Sequence, residues 1–499
     1  MSKIRFQQPY DHSAGMPLRV LGGYDESGTL FSRVRLPFSL ARCSVIDQER
    51  ISDFSSWKMK STPDIRLPPG PPGKWRPTLS LMRDARGTMQ NWVAEYGDPF
   101  FINALNGPIV LTGRPDLIET IFSADPANFE TFAKNALSPI LGSGSMLQLD
   151  GEPHRRERKL IMPMFHGQRM KSYVDSMQRI ALRSFERNSE AGVVSMLDIT
   201  TEISLDIIME VILGAEDEEA VAKLAKQSAK VMQRMWPIFI FSPKTQFRFF
   251  GLAPWARFQK EQHALRNILA EEVKKRESTL ESREDILSML AAARYEDGSA
   301  MELDHLLDEL GTFLFAGHET TAIAMAWAVY HLLNNQDARE QLVAELDANS
   351  DKEAGEIARL PWLNAVVSES LRLNPVVSDV LRLLKEPMEL GEFRIPAGYT
   401  VAPAIVLAHY NEEVFPNPQR FDPSRFIDKR FSPSEYLPFG GGVRRCAGAA
   451  FATHEMAIAL ATLFSNYNLE LREPKQVVPK RRNITIGPST GIRVEIKPR

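Results

Sequence analysis

The stretch Phe439-Gly-Gly-Gly-Val-Arg-Arg-Cys-Ala-Gly448 carries the strongest signal in this chain, because it sets one cysteine among glycines and arginines. Consecutive glycines permit positive φ angles and a close backbone approach to a bulky ligand. Neighbouring guanidinium groups favour the thiolate form of Cys446. The apolar, proline-free run from Ala447 to Phe464 predicts a helix directly after the loop, whose N-terminal amides would stabilise negative charge further. We therefore expect a cysteine of low pKa at a helix entrance.

A cysteine in this setting can be a nucleophile, a zinc ligand or an axial ligand of haem iron. A zinc site needs further Cys or His pairs, but the only other cysteine is Cys43 and the chain has no Cys-x-x-Cys. A nucleophile would need a base and oxyanion donors, which the sequence alone does not exclude. The loop also fits the pattern Phe-x-x-Gly-x-Arg-x-Cys-x-Gly, with Phe439, Gly442, Arg444, Cys446 and Gly448 at its fixed positions.

That pattern resembles the haem-binding loop of the cytochrome P450 (haem-thiolate monooxygenase) family. The resemblance implies that Cys446 is the metal ligand, bound to the iron of haem b. It also implies that Phe439, Arg444 and Gly448 belong to the cofactor site.

Composition narrows the class of protein and its compartment. The 499 residues contain 60 Lys and Arg against 63 Asp and Glu, so no global charge favours nucleic acid or an anionic membrane. Two cysteines cannot build a disulfide framework, which fits a reducing cytoplasm. The apolar segment Gly311–Leu333 contains His318 and Glu319, so it predicts a buried helix and not a transmembrane anchor. We expect a cytoplasmic monomer with no nucleic-acid partner.

The chain is expected to have an N-terminal extension of unknown role, residues 1–66, followed by a haem-thiolate domain, residues 67–499. A Pro/Gly-rich hinge at Leu67–Gly73 marks the boundary between the extension and the domain. The expected fold is mainly α with small β-sheets (α+β). Its predicted elements are a helix over 79–96, two strands over 99–113 with a turn at Asn106-Gly107, long helices from 115 onward with loops at 138–145 and 241–254, and strands at 388–400, near 470 and over 484–496.

The segment Asp150-Gly-Glu-Pro-His-Arg-Arg-Glu-Arg-Lys159 predicts a helix with an anion site. Pro153 suits a first helical turn, and His154 and Arg158 share one face at i, i+4, so they can converge on one anion. A solvated basic face is the competing interpretation for an isolated cluster. In the P450 family a His-x-x-x-Arg at this point binds a haem propionate, and the resemblance implies that role here. The other basic residues of the segment, with Arg445, are expected to form a docking surface for an acidic electron donor.

A polar island, Ala316-Gly-His-Glu-Thr-Thr321, interrupts the long apolar helix. Gly317 would leave room for a flat ligand, and the Thr320 hydroxyl can hydrogen-bond to the preceding turn. A kinked core helix is the alternative if the island is read alone. The island resembles the oxygen-activating helix of the P450 family, where an acid and an alcohol supply protons for dioxygen activation. The resemblance implies that Glu319 and Thr320 are the catalytic pair, with the haem between this helix and the one after the cysteine loop.

Glu369 and Arg372 lie three residues apart in a predicted helix from Leu363 to Leu373, so their side chains share one face. Exposed helices often carry such pairs, and each contributes little to stability. The place of this pair in the chain makes it more significant, because Arg425 follows at the point where the P450 family has a third residue that pairs with the glutamate and arginine. The resemblance implies a structural network of these three residues behind the haem. Arg382 matches a further propionate-binding arginine of the family.

The family layout places the substrate pocket at Phe313, Ala316, Val377 and Ile486. The segments around them are mostly apolar, which predicts a large lipophilic substrate such as a fatty acid, terpenoid or polyketide. An aromatic cluster between residues 236 and 250 fits core packing and a substrate entrance or lipid-touching rim equally well. The region around His154 most resembles bacterial fatty-acid and secondary-metabolite oxidases.

The resemblance implies a monooxygenase that inserts one atom of dioxygen by hydroxylation or epoxidation. The 53 residues after Cys446 are too few for a flavin reductase, and no cysteine cluster can hold an iron–sulfur centre. Electrons are therefore expected from NAD(P)H through separate proteins, a reductase with a ferredoxin or flavodoxin. Two other classes stay open, a haem-thiolate peroxygenase, isomerase or dehydratase, and a non-catalytic haem carrier or gas sensor. The intact Glu319–Thr320 pair argues against both.

Overall fold

The structure, a computed structural model, describes residues 21–24, 30–33, 66–165, 167, 169–214, 218–241, 243–247, 251, 253–482 and 484–499. The chain divides into two compact units, Met1–Pro63 and Asp64–Arg499. In the first unit, β1 (Leu21–Tyr24) and β2 (Leu30–Arg33) form an antiparallel pair. The remainder of the predicted extension, up to residue 65, lies outside the described residues.

Helices make up most of the second unit. They are α1 (Trp75–Arg83), α2 (Ala85–Tyr96), α3 (Pro115–Ser123), α4 (Lys134–Leu141), α5 (Gly151–Ile161), α6 (Arg169–Ser189), α7 (Met196–Leu213), α8 (Glu218–Arg234), α9 (Pro237–Phe241), α10 (Pro254–Lys275), α11 (Ile286–Ala292), α12 (Leu303–Asn334), α13 (Gln336–Asp347), α14 (Ala354–Ile357), α15 (Pro361–Leu373), α16 (Ile405–Ala408), α17 (Arg425–Asp428) and α18 (Ala449–Asn466).

The strands of this unit are short. They are β3 (Phe100–Ala104), β4 (Gly107–Thr112), β5 (Phe129–Glu130), β6 (Val193–Ser195), β7 (Arg382–Leu384), β8 (Met388–Leu390), β9 (Phe393–Ile395), β10 (Thr400–Pro403), β11 (Tyr467–Leu471), β12 (Pro479–Arg481), β13 (Ile486–Pro488) and β14 (Arg493–Pro498). They form a five-stranded sheet in the order β3-β4-β10-β7-β5, a three-stranded sheet β11-β14-β6, and the pairs β8-β9 and β12-β13. The predicted mainly α fold with small sheets is confirmed.

The long helix α12 runs through the main core, as its apolar sequence predicts. Its 32 residues span about 48 Å. The stretch from Thr321 to Val329 is buried on every side, because α12 packs against α7, α15 and α18. In the part of the chain that the structure describes, no helix has the length and apolarity needed to cross a bilayer. One core cluster therefore surrounds α12, and smaller clusters lie under the β3-β4-β10 region.

Several element boundaries differ from the predicted ones for local reasons. The helix predicted over 79–96 is two helices, because Asp84 leaves the helical conformation and its carboxylate caps α2 by accepting from Gly87 N at 3.0 Å. The helix α4 continues to Leu141 into the loop predicted at 138–145. The hairpin turn predicted at Asn106-Gly107 is present, with Gly107 at φ 123° pairing with Ala104.

Candidate active site

The cysteine loop is a tight turn tied to itself and to α3. Cys446 N donates to Phe439 O at 3.0 Å, and Gly440 and Gly442 have φ angles of 67° and 63°. A Cβ on Gly442 would come within 2.9 Å of the carbonyl oxygen of Phe122 in α3, and one on Gly441 would strike the Phe122 ring. These two glycines therefore make room for Phe122, a packing role that the sequence analysis did not anticipate. Phe122 is distant in sequence, so no local pattern identifies it.

The Cys446 thiol lies just before α18, whose N-cap is Gly448. The side chain is exposed, yet protein surrounds it closely enough that desolvation raises its pKa, against the opposing effects of the Gly448 N–H, Arg445 and Arg158. The thiol is thus accessible although many protein atoms lie around it. The expectation of a low pKa is wrong for the thiol by itself, since the two cations do not offset burial. Metal coordination would deprotonate it regardless.

Four basic side chains come together beside this loop, as the sequence predicts for propionate binding. They are His154, Arg158, Arg382 and Arg444. Burial lowers the pKa of all four, to about 4 for His154 and about 10 for Arg382. The mutual repulsion of these groups lowers the pKa values of His154 and Arg382 further. The cluster is therefore a concentration of positive charge held partly out of water.

Asp150 is a site residue that the sequence analysis did not identify. Arg444 donates to Asp150 Oδ1 at 2.7 Å and to the carbonyl oxygen of Leu149. The same Oδ1 accepts from the backbone and hydroxyl of Thr131 at 2.8 and 2.7 Å, and Lys134 lies 3.3 Å from Oδ2. The sequence signal that could have identified Asp150 is its place directly before the Gly-x-Pro start of a helix. Asp150 fixes Arg444 at the entrance of α5.

This arrangement fits a haem. Among the described residues, the negative groups that act on the pKa values of the four basic side chains are Asp150 and Cys446. A partly buried cationic cluster with so little counter-charge is costly without an anion. Two propionates would supply that charge, and the accessible Cys446 thiol would supply the iron ligand.

Three residues of the predicted docking surface lie on α5 and are paired within the chain, whereas the fourth, Arg445, is exposed in the cysteine loop. Arg155 pairs with Glu152 at 2.9 Å, Arg156 pairs with Asp297 at 2.9 Å, and Lys159 pairs with Glu296. The partners of Arg156 and Lys159 come from the segment after α11, which the sequence does not place near α5. These three residues leave little net positive charge on this face.

The polar island of α12 is a continuous stretch of helix. Thr320 Oγ1 donates to Ala316 O at 2.8 Å, as expected, and Thr321 Oγ1 donates to Gly317 O at 3.1 Å. Burial raises the pKa of Glu319, opposed by Arg482. A Cβ on Gly317 would lie 3.3 Å from Ile208 of α7. This glycine therefore allows close packing of α12 against α7.

The structure brings Glu369, Arg372 and Arg425 together. Arg372 donates to both carboxylate oxygens of Glu369, at 2.6 and 2.8 Å, and to the carbonyl oxygen of His409 at 2.8 Å. Arg425 Nε lies 3.5 Å from Glu369 Oε1. Glu369 and Arg372 are completely buried, and Glu369 Oε1 also accepts from Asp422 N at 2.9 Å. The network joins α15, the segment before α17 and the loop after α16.

The four predicted pocket residues lie in different local surroundings. Ala316 is exposed, whereas Phe313 is 8% exposed and packs edge-on against Phe165, with ring centroids 5.3 Å apart. Ile486 lines a cavity of about 20 Å³ beside α2. Val377 is half-buried and packs near Leu437.

A larger cavity, of about 50 Å³, lies between α4, α8, α10 and α12 and is mostly apolar. It borders the opposite face of α12 from Ala316 and Thr320. The aromatic cluster divides in two. Phe239 is buried against Trp255, while Trp236 and Phe247 are 51% and 56% exposed. Phe249 and Phe250 lie outside the described residues.

Comparison with known proteins gives one consistent family. A family model described as Cytochrome P450 matches residues 68–493. "Putative cytochrome P450 135B1" of Mycobacterium bovis is 32% identical over 446 residues, which cover 88% of this chain and 93% of that protein. "Putative cytochrome P450 138" of Mycobacterium tuberculosis is 32% identical over 444 residues, covering 88% and 98%.

A solved structure, "Retinoic acid bound cyanobacterial CYP120A1", superposes with a TM-score of 0.77 at 24% identity, covering 87% of this chain and 100% of that chain. The likeness concerns the fold. It agrees with a long central helix, a cysteine loop before α18 and small peripheral sheets. The match to the family over most of its length shows that the chain belongs to the cytochrome P450 family and is a haem-binding monooxygenase.

Proposed function

We propose that residues 67–499 insert one atom of dioxygen into a lipophilic substrate, by hydroxylation or epoxidation, with electrons from separate redox proteins. The observation that carries the proposal is the exposed Cys446 thiol beside a basic cluster whose carboxylate counter-charge comes from Asp150. A haem whose iron carries a thiolate ligand supplies dioxygen activation and an oxidant strong enough for C–H bonds. The protein's own residues must hold that cofactor, control protons and exclude water.

Cys446 is the proposed iron ligand, and its surroundings would hold the thiolate charge. The Gly448 N–H hydrogen-bonds to the sulfur, and Arg158 and Arg445 act on it electrostatically. Phe439 fixes the loop because its carbonyl oxygen accepts a hydrogen bond from Cys446 N.

The propionates are assigned to the basic cluster of His154, Arg158, Arg382 and Arg444. The lowered pKa makes His154 a neutral donor near pH 7. The arginines then provide the charge, and Asp150 holds Arg444 in position. Water would screen the attraction between this cluster and a bound anion only weakly, because the basic groups are already desolvated.

Glu319 and Thr320 are the proposed proton-handling pair. Burial raises the pKa of the Glu319 carboxyl, so it keeps a proton to higher pH than an exposed glutamate and can donate it. The Thr320 hydroxyl is anchored by its bond to Ala316 O and can accept a further hydrogen bond through its oxygen. Arg482, which opposes the rise, would stabilise the carboxylate that remains after Glu319 has given up its proton.

A lipophilic substrate is supported by apolar surface at two places. Ala316 and Phe313 share the Thr320 face of α12, and Val377 and Ile486 are the other proposed contacts. The exposed Trp236, with Phe247 nearby in sequence, supplies apolar surface at the connection between α8 and α10. A fatty acid, terpenoid or polyketide, typical of lipid hydroxylation or secondary metabolism, fits this chemistry.

The proposed partners are a ferredoxin or flavodoxin and an NAD(P)H-dependent reductase, in the cytoplasm and with the enzyme as a monomer. The low cysteine count supports the compartment. Since α5 neutralises its own basic face, we expect only weak dependence of turnover on ionic strength through Arg155, Arg156 and Lys159.

Ligand-induced shifts of the haem absorption, followed by turnover, test this function. A panel of fatty acids, terpenoids and polyketide-like compounds is screened against the haem-loaded protein, and compounds that shift the spectrum are incubated with a generic ferredoxin, reductase and NADPH. We expect product that requires dioxygen and electrons and contains one new oxygen atom. Product formed equally without dioxygen or electrons would favour an isomerase or dehydratase. Product formed only with peroxide would favour a peroxygenase, and no shift with any compound would favour a haem carrier or sensor.

A further inference from the structure

Three potential metal ligands from two helices meet at a point that the P450 chemistry does not use. Glu157 lies in α5, and His305 and Glu309 lie in the first two turns of α12. One ligand atom from each lies within 4.8 Å of the other two. His305 Nε2 is 3.4 Å from Glu157 Oε2. Ligand atoms around tetrahedral zinc lie about 3.3 Å apart, so side-chain rotations alone would close the cluster around an ion.

Three of these side-chain atoms are buried without a hydrogen-bond partner, and the contact between them is the pairing of His305 with Glu157. Glu157 is 2% exposed and Glu309 is fully buried. Glu157 Oε1, Glu309 Oε2 and His305 Nε2 have no hydrogen-bond partner. The remaining oxygens are held from outside the cluster, since Glu157 Oε2 accepts from Tyr295 OH at 2.8 Å and Glu309 Oε1 accepts from Met146 N. Each carboxylate is thus oriented by one oxygen while the other is left unsatisfied.

The charge at this point is unbalanced. Burial raises the pKa of both carboxyl groups, and for Glu309 the neighbouring Glu157 raises it further. The adjacent Asp308 adds negative charge, but it is paired with Arg266. Arg156 acts on Glu157 from the surface side and is itself paired with Asp297. Two buried carboxylates with one imidazole match the charge and donor types of a divalent cation.

We propose that Glu157, His305 and Glu309 bind a zinc ion through one nitrogen and two oxygens, with a water molecule as the fourth ligand. The mixed imidazole and carboxylate set suits zinc better than the all-oxygen sites of calcium or magnesium. Tyr295 would orient Glu157 from outside the site, as second-shell donors do. The His305 side chain is 26% exposed, which gives the ion a path from solvent.

The ion would have a structural role. It would join α5, which carries His154 and Arg158, to the start of α12. It would also secure the loop after α4, because Met146 N binds Glu309 and a Cβ on Gly144 would touch the His305 ring. That loop leads to Leu149 and Asp150, which hold Arg444. Zinc binding would therefore stiffen one wall of the cofactor site without entering the reaction.

The test uses the full-length, haem-loaded protein, because its zinc content is independent of its activity. The protein is stripped with a chelator, incubated with zinc sulfate, desalted and analysed for zinc and iron by mass spectrometry. We expect one zinc per chain and a higher melting temperature after zinc addition. Glu309→Gln and His305→Gln should lose both effects, and Asp304→Asn, a matched change at a carboxylate that is 93% exposed, should keep them.

Melting temperatures also separate a metal site from a pair of carboxyls that share a proton. In chelator, Glu309→Gln should melt at or above the wild-type temperature, because it removes one of two facing carboxyls. With zinc added, the wild-type protein should melt at a higher temperature than Glu309→Gln. If Glu309→Gln does not fold, His305→Gln at a partly exposed position is used instead, and the melting temperature of this variant should not rise when zinc is added. Wild-type protein that retains no zinc, or variants that retain it equally, would overturn the proposal.

Discussion

Glu455 lies in α18, nine residues after Cys446, and its carboxyl is 1% exposed with Oε1 lacking a hydrogen-bond partner. Burial raises its pKa to about 8, opposed by the nearby Ser204 hydroxyl. In the unfolded chain a glutamate titrates near 4.5. Between these two values the unfolded chain has lost a proton that the folded protein retains, so stability falls as pH rises from 4.5 to 8 and is fully present below 4.5.

The size of this effect follows from the two pKa values. Each pH unit within the window costs about 1.4 kcal/mol, which amounts to about 3 kcal/mol at pH 7 and about 1 kcal/mol at pH 5. Glu455→Gln has the same shape and no ionisation, so it removes the cost. For a unit of this size the gain corresponds to a melting temperature higher by about 4 °C at pH 7 and by about 1 °C at pH 5.

Thermal melts of the haem-loaded protein at one scan rate, at pH 5 and pH 7, measure this difference. Glu340→Gln, at an exposed position in α13, is the control and should change the melting temperature equally little at both pH values. A gain for Glu455→Gln that is the same at the two pH values would refute the reasoning, because packing and not ionisation would then be responsible. A loss of stability at pH 7 would refute it as well.

Two further predictions concern the network and the proton-handling pair. Glu369→Gln leaves a fully buried guanidinium without its counter-charge, so we expect a loss of about 3–5 kcal/mol and little haem-loaded protein, while Glu389→Gln in an exposed pair should have almost no effect. Equal melting temperatures for the two variants would contradict this. Thr320→Ala should keep the haem spectrum and substrate binding but spend more NADPH per product formed, whereas Thr321→Ala, whose hydroxyl makes the same type of helix bond, should not. Equal loss in both variants would contradict the role of Thr320.

Short-range patterns predicted much of this fold and site. The apolar run around residues 311–333 lies within α12, the His154–Arg158 spacing placed two basic side chains on one helix face, and Glu369 meets Arg372 one turn later. In each case the helical repeat alone fixes the side-chain direction. The local pattern and the tertiary structure agree here because packing buries the same helix face that the sequence spacing defines.

The features that the sequence did not reveal depend on contacts between distant segments. The glycines after Phe439 make room for Phe122, and Gly317 accommodates Ile208, neither of which any nearby residue reveals. The low pKa expected for Cys446 failed because desolvation depends on the whole surrounding protein and exceeded the local effect of the arginines. The basic face of α5 lost its charge to Asp297 and Glu296, more than a hundred residues away.

The central claim, that Cys446 binds the haem iron as a thiolate, is tested most directly by the absorption spectrum of the reduced protein under carbon monoxide. The wild-type protein should show the thiolate-type Soret band. Cys43→Ala, the matched change at the other cysteine, should show the same band, and Cys446→Ala should lose it. A thiolate-type band that persists unchanged in Cys446→Ala, or its absence from haem-loaded wild-type protein, would contradict the claim.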